Sequence, residues 1–363
     1  MKITDIKAFA IRLPLVEGDL PVSLRTERTV VIVKVCTDQG IDGFGESFGF
    51  FNSALATATA VETMLKPMLL GKDPTEIQKL WNHMYRELYY TGRAGIGISA
   101  LSGVEIALWD IAGKALGAPV YRLLGGKAHD KIRAYASLMR YSRPEDVARA
   151  CSAMKARGYT AIKLHEIAIA AVESARNAVG DEIDLLLDVN CAWDAPAAIR
   201  MGKLFEPFQL YWYEEPVWPG NDFRGLAEVR AKVDIPIAAG ENEYTARAFE
   251  ALIASHAVDF LQPSVFKLGG ILEEKKVFTL AGAKGCKVMP HCISFGPAMA
   301  ATLHVCFSEP SSELIETWVD IPETDILREP LLPEQGYWRI SDKPGLGIEL
   351  DEDVLARYSM TIE

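Results

Sequence analysis

From residue 161 to residue 316 the chain repeats one arrangement, a short apolar run that ends in a polar side chain. The runs are Ala161-Ile162-Lys163, Leu185-Leu186-Leu187-Asp188, Tyr211-Trp212-Tyr213-Glu214 and Ile237-Ala238-Ala239-Gly240-Glu241. Phe260-Leu261-Gln262, Val288-Met289-Pro290-His291 and Leu314-Ile315-Glu316 continue the series. The last residues lie 25, 26 and 27 positions apart from Lys163 to Glu241. A further 50, with one run between, reaches His291, and 25 more reaches Glu316. A strand, a crossover helix and their loops fill such an interval, so the pattern predicts repeated βα units on a parallel sheet. A first strand near Ile132–Leu138 makes eight. The expected fold class is α/β, a (β/α)8-type (TIM-like) barrel.

The chain before this series has another rhythm. Val30-Val31-Ile32-Val33-Lys34-Val35-Cys36 is a β-branched run, Asp38-Gln39-Gly40 is a turn signal, and Ile41–Ser47 resumes as a strand, which predicts a hairpin. Residues 53–70, 75–90 and 95–117 carry apolar positions at helical spacing, such as Leu101, Val104, Leu108 and Ile111. Gly125-Gly126 closes the block. Residues 1–125 are therefore expected to form an α+β capping domain, 126–318 the barrel, and 319–363 a Pro- and Gly-rich segment that returns to the cap.

In a (β/α) barrel the C-terminal ends of the strands converge on one mouth, where active sites lie. Here that mouth collects Lys163, His165, Asp188, Glu214, Glu241, His291 and Glu316. Any one of these acids alone could cap a helix or pair with a surface lysine. Three carboxylates on successive strands are a different matter, because like charges oppose one another's ionisation and call for a common cation. An all-oxygen ligand set without thiolate favours Mg²⁺ over Zn²⁺.

Composition narrows the partners. The 363 residues hold 38 Lys and Arg against 49 Asp and Glu, a formal charge of −11, which repels phosphate backbones and argues against nucleic acid. Any anionic substrate then needs a local cation. The longest stretch free of Asp, Glu, Lys and Arg, Val288–Ser308, contains two histidines and two prolines and reads as core rather than a membrane span. The N-terminus lacks the layout of a signal peptide, and the six cysteines include no C-x-x-C pair. A reduced, cytoplasmic protein is expected, and a homo-oligomer on general grounds.

The motifs resemble those of the enolase superfamily, within it the mandelate racemase and muconate lactonizing enzyme group, over nearly the whole length. Gly40-Ile41-Asp42-Gly43-Phe44-Gly45-Glu46 is similar to that group's N-terminal hairpin. Ala100-Leu101-Ser102-Gly103-Val104-Glu105-Ile106-Ala107-Leu108-Trp109-Asp110, followed by Leu123-Leu124-Gly125-Gly126, is similar to its signature helix. Leu187-Asp188-Val189-Asn190, Tyr213-Glu214-Glu215-Pro216 and Gly240-Glu241-Asn242 resemble its metal-binding strand ends. The resemblance implies a cap built from both terminal segments. It implies one Mg²⁺ per subunit, with Mn²⁺ able to substitute, on Asp188, Glu214 and Glu241, with Asn190 and Glu215 beside the site. It also implies removal of a proton α to a carboxylate, and the enediolate that forms is stabilised by the cation.

The same resemblance assigns bases. Where the group often ends its second barrel strand Lys-x-Lys, this chain reads Lys163-Leu164-His165, so an imidazole near its working pKa replaces the second amine. Lys163 would then bond the substrate carboxylate. His291 matches the group's base on the opposite face, but Ser264 stands where an aspartate is expected to orient it. A hydroxyl orients an imidazole without stabilising imidazolium. That fits His291 as a general acid for a leaving β-hydroxide better than as the second base of a racemase. Lys267 is expected to pair with a metal-ligand acid, and Glu316 to hydrogen-bond the substrate carboxylate in its protonated form.

The leading expectation is a lyase that dehydrates an acid sugar, a small carboxylate substrate, to a 2-keto-3-deoxy acid. A racemase, epimerase or lactone cycloisomerase using the same enediolate is the runner-up. A weakened member that only binds a carboxylate is the third. Gly45-Glu46-Ser47-Phe48-Gly49 satisfies the G-x-S-x-G pattern of serine hydrolases, but in an early hairpin rather than at a strand-to-helix turn. His83, His129, His256 and His304 lack an acidic strand-end partner and read as structural or solvated. Substrate specificity is expected in cap loops near 15–28 and 48–54, from Arg25, Thr26 and Arg28 and from the aromatic group Phe48, Phe50 and Phe51.

Overall fold

The computed structural model describes residues 1–361 apart from 17, 19, 22–25 and 51. Three antiparallel strands, β1 (Ile3–Pro14), β2 (Glu27–Thr37) and β3 (Gly43–Ser47), open the chain in the order β1-β2-β3. Val31, Ile32, Val33 and Val35 of β2 are fully buried, as the unbroken β-branched run requires. The β2–β3 turn is tied by Thr37, whose hydroxyl donates to the Ile41 carbonyl at 2.9 Å.

The helix Ile96–Ala115 lies across β3. Gly43 and Gly45 make that approach possible: a Cβ on them would sit 2.2 Å from the Ala107 carbonyl oxygen and 1.9 Å from that of Gly103. This helix is long and apolar enough to cross a membrane, yet 89% of its apolar window is buried inside the fold, which makes it a core helix. The expected helix over 53–70 contains a wider π turn at Val61–Leu65 between Ser53–Ala60 and Lys66–Leu69.

Eight parallel strands follow: β4 (Ile132–Ser137), β5 (Ala161–Leu164), β6 (Asp184–Asp188), β7 (Trp212–Glu214), β8 (Ile237–Ala239), β9 (Phe260–Leu261), β10 (Lys287–Val288) and β11 (Leu314–Trp318). They pair in the order β10-β9-β8-β7-β6-β5-β4-β11, so the last strand curls round beside the first. Side chains connect the β10 and β11 segments: Lys287 pairs with Glu313 at 2.9 Å, and the Cys292 N–H, beyond β10, donates to Glu316 Oε2 at 2.9 Å. A helix follows each of the first seven strands, among them Pro144–Ala156, Ile169–Val179 and Ala195–Phe205. Tyr135, Ala161, Leu186, Trp212, Ala238, Phe260, Met289 and Leu314, one from each strand or its immediate end, form a single inner cluster.

The C-terminal segment touches both parts. Ile326, Leu327, Leu350 and Leu355 pack with Ile11, Leu13, Val30 and Ile32 of the small sheet. A twelfth strand, β12 (Tyr337–Trp338), pairs antiparallel with β4.

Candidate active site

Side chains alternate along a strand, so the residue two beyond each inner-cluster member points the same way, further toward the mouth. From Ala161 the count reaches Lys163, then His165. It takes Leu186 to Asp188, Trp212 to Glu214, Phe260 to Gln262 and then Ser264, Met289 to His291, and Leu314 to Glu316. One residue breaks the parity. Counting from Ala238 gives Gly240, and Glu241 is one position out. Gly240 has φ +131°, and a Cβ there would meet the Phe249 ring at 2.8 Å; only glycine makes this bend, which swings Glu241 back into line.

Asp188, Glu214 and Glu241 come together, with one carboxylate oxygen from each lying within 4.8 Å of the others. Burial is the largest influence on Glu214 and drives its pKa well above the ordinary range, with Asp188, Glu241 and Glu316 adding to the rise. Asp188 goes the other way. Burial opposes its charge, but His165 and Lys163 outweigh it and hold the carboxyl below the usual range. Asn190 fixes Asp188 through its backbone N–H at 2.8 Å and its side chain at 3.1 Å. Trp212 Nε1 donates to Glu214 Oε2 at 2.8 Å. A converging all-carboxylate set with too few cations fits a hard divalent ion.

Lys163 lies beneath this group. Its Nζ is 2.9 Å from Glu316, 3.2 Å from Glu214 and 3.6 Å from Asp188. Burial disfavours its charge, but the Glu214 and Glu316 carboxylates win and raise its pKa. Glu316 is buried among the same groups. Burial pushes it up, yet Lys163 and His291 hold it down at about 2, so here it is the ionised partner of Lys163.

The two histidines stand on opposite sides. His165 Nδ1 lies 2.5 Å from the Leu138 carbonyl oxygen, which can only accept. Nδ1 therefore carries a proton, and Nε2 lies 3.2 Å from Asp188 Oδ2, a pairing that holds when Nε2 is protonated as well; deprotonation to the neutral ring leaves the lone pair on Nε2. His291 Nε2 is 3.3 Å from Glu241 Oε2, and its Nδ1 is 3.0 Å from the Ser264 hydroxyl. Burial lowers its pKa. Lys267 donates to Asn242 Oδ1 at 2.7 Å and lies 3.6 Å from Glu241. Glu215 stays outside the triad. It accepts from Asn242 at 3.1 Å, and burial together with Glu241 and Asp188 pushes it up to about 8.

A cavity of about 480 Å³ opens over these groups. His165, Asp188, Asn190, Glu241, Lys267 and His291 line it from the strand ends, and Phe48 and Phe50 from the cap side. Met139, Arg140, Asn242, Ile293 and Trp318 also line it and were not expected. Met139, Ile293 and Trp318 sit at the same parity, four residues beyond Tyr135, Met289 and Leu314, so extending the alternation past the strand ends finds them. Of the cap-loop arginines, Arg28 is buried between the Phe295 and Trp318 rings at 4.8 and 4.7 Å, behind the Trp318 wall of the cavity rather than lining it itself. Thr26 is exposed, and Arg25 and Phe51 lie outside the described residues. Ser47 of the G-x-S-x-G run is fully buried beneath the helix Ile96–Ala115, where its hydroxyl donates to the Ala100 carbonyl at 3.4 Å, so it offers no exposed nucleophile.

Comparison with known proteins identifies the family. Residues 5–125 match the mandelate racemase / muconate lactonizing enzyme N-terminal domain, and residues 145–354 match the enolase C-terminal domain-like family. The chain is 33% identical to D-galactarolactone cycloisomerase of Agrobacterium fabrum, over 99% of both chains. It is 35% identical to D-galactonate dehydratase of Ralstonia pickettii, over 91% of both. The solved 3,6-anhydro-D-galactonate cycloisomerase of Zobellia galactanivorans superposes with a TM-score of 0.88 at 30% identity, covering 99% of this chain and all of that one. The chain belongs to the mandelate racemase/muconate lactonizing enzyme group of the enolase superfamily.

Proposed function

We propose that the chain is a hydro-lyase that converts an acid sugar to a 2-keto-3-deoxy acid with the help of Mg²⁺ on Asp188, Glu214 and Glu241. One observation carries this reading: two imidazoles flank the acid triad, and a hydroxyl, not a carboxylate, backs the second. The divalent ion, when bound, supplies positive charge to the substrate carboxylate as a second negative charge builds on it.

The chain's own residues do the rest. Lys163 holds a carboxylate oxygen from below. His165 Nε2 takes the α-proton, its Nδ1–H staying on the Leu138 carbonyl so that the ring is already in the required tautomer. The C–H electron pair passes into the enediolate. Its collapse expels the β-hydroxyl, to which His291 Nε2 delivers a proton, so that water leaves. The resulting enol then ketonises to the 2-keto acid. Ser264 orients His291 but adds no counter-charge on the Nδ1 side, which suits an acid that gives its proton away more than a base that must take one up.

The closing experiment follows a panel of acid sugars and lactones by NMR in D₂O with Mg²⁺. Keto-acid formation supports the lyase. Isomerisation of a lactone or an anhydro acid, with two of the similar proteins named as cycloisomerases of D-galactarolactone and of 3,6-anhydro-D-galactonate, would replace it with a cycloisomerase that uses the same proton abstraction. Deuteration with inversion and no keto acid would make it an epimerase. Ligand binding without any exchange would make it a binding protein.

A further inference from the structure

The site holds three cationic side chains, and two are already committed. Lys163 faces three carboxylates, and Lys267 is bonded to Asn242 beside Glu241. The third is Arg140, two residues beyond the Leu138 carbonyl that holds His165. It lines the cavity, and its Nε donates to the main-chain carbonyl of His165 at 2.5 Å. Among the described residues its two terminal nitrogens have no hydrogen-bond or ion-pair partner.

This guanidinium is fixed. The backbone N–H groups of Tyr141 and Ser142 both donate to the buried Glu166 carboxylate, at 2.7 and 3.1 Å. The loop after β4 is thereby bound to the loop after β5, and with Nε spent on His165 the outer edge of the fork is left for a ligand. A planar, pre-oriented fork matches a carboxylate through two parallel hydrogen bonds.

Its place in the sheet says which end of a substrate it meets. The triad sits at the ends of β6, β7 and β8, whereas Arg140 follows β4, two strands from β6 on the pairing path. Arg140 also lies three residues past the end of β4 and is half-exposed, whereas Lys163, Asp188 and Glu214 are fully buried, so its fork faces the outer end of a ligand anchored at the triad.

We propose that Arg140 binds the distal carboxylate of the substrate, and that the preferred substrate is therefore a sugar acid oxidised at both ends rather than one ending in a neutral hydroxymethyl group. This rests on the reading of the pocket as an acid-sugar site. The test compares matched pairs, galactarate with D-galactonate and glucarate with gluconate. Turnover with Mg²⁺ and calorimetric binding to the Mg²⁺-loaded protein are both measured, for the native chain, R140K and R140Q. The native chain is expected to favour a dicarboxylic acid at least tenfold in kcat/KM. R140Q is expected to lower that value about thirtyfold, mainly through KM, while the matched monocarboxylic acid changes far less. R140K, which keeps the charge and loses the fork, is expected to fall between. A native preference for the monocarboxylic acids overturns the proposal, as does an equal loss on both members of a pair, the signature of a residue that only supports His165. No turnover combined with tight, Arg140-dependent binding of a dicarboxylic acid would sink the lyase reading and leave this one standing. Binding of neither class would sink both.

Discussion

The Ser264 hydroxyl stands 3.0 Å from Nδ1 of His291, on the side of the ring opposite the 3.3 Å approach of Nε2 to Glu241. An acid in place of this hydroxyl would give imidazolium a permanent counter-charge. S264D is therefore expected to shift the partition of the enediolate away from dehydration and toward return of a proton from the His291 face. NMR in D₂O checks this as more α-deuteration with inversion per keto acid formed. S264N, similar in shape and neutral, is the control and should leave the partition near the native value. An unchanged ratio in S264D would mean that the counter-charge does not decide between the outcomes.

His165 is held by a contact no side-chain motif reveals, the 2.5 Å bond from Nδ1 to the Leu138 carbonyl. If Nε2 is the base, H165N, which removes the proton acceptor while remaining polar, should reduce α-proton exchange by about 10²- to 10⁴-fold. Mg²⁺ binding should persist, because His165 is not among the three acids. Exchange at the native rate would remove His165 from the mechanism.

Much of this site was legible because strand alternation is a strict period of two. Once Lys163, Asp188, Glu214 and Glu316 are read as strand ends, their common direction follows. Glu241 was found by spacing and by the Gly240-Glu241-Asn242 motif, and only the backbone at Gly240 shows how a residue of the wrong parity joins the others. Arg140 was not legible. It belongs to a loop, and its orientation is set by main-chain carbonyls and by Glu166, partners that carry no sequence pattern. The partners of Glu316 were hidden for a related reason. Its strand position was evident, but its 2.9 Å contact with Lys163, two strands along the pairing path, carries no sequence pattern.

The glycines of the G-x-S-x-G run have a packing role that can be measured. A Cβ at Gly45 would lie 1.9 Å from the Gly103 carbonyl oxygen and 2.8 Å from the Ala107 nitrogen, both backbone atoms of a buried helix. G45A must push the helix Ile96–Ala115 off β3. A loss of about 3 kcal/mol is expected from the denaturant midpoint, at the upper end for an overpacked core. S47A, by contrast, should keep its metal-dependent activity; loss of turnover in a folded S47A would revive the hydrolase motif.

Acid sensitivity should arise partly at His304, far from the triad. Its Nδ1 accepts the Tyr121 backbone N–H at 3.1 Å, and burial lowers its pKa to about 4 from an ordinary 6.5. The folded group binds a proton less tightly than the unfolded one, so its contribution to stability is complete above about pH 6.5 and is lost as pH falls toward 4. The span corresponds to about 3 kcal/mol. H304Q keeps an acceptor for Tyr121 without a titrating ring. Urea unfolding at a series of pH values should show a flatter decline between pH 6.5 and 4 in H304Q than in the native chain; parallel curves would exclude His304.

Metal binding offers the most direct separation of structure from chemistry. Asp188 meets Lys163 at 3.6 Å and His165 at 3.2 Å, and two donors from Asn190 hold its carboxylate in place. D188N keeps the shape and removes one of three negative ligands, so Mg²⁺ should bind far more weakly to a chain that still folds. A ligand that binds only the folded state adds about 2.7 kcal/mol of stability at a hundred times its dissociation constant. The native chain should therefore show a Mg²⁺-dependent rise in Tm that D188N lacks at the same concentration. Chelation should abolish native turnover, and added Mg²⁺ or Mn²⁺ should restore it, while D188N stays inactive under all three conditions. Unaltered turnover in D188N, or a Tm shift equal to the native one, would show that the cation does not sit on Asp188, and the mechanism built around the triad would fall with it.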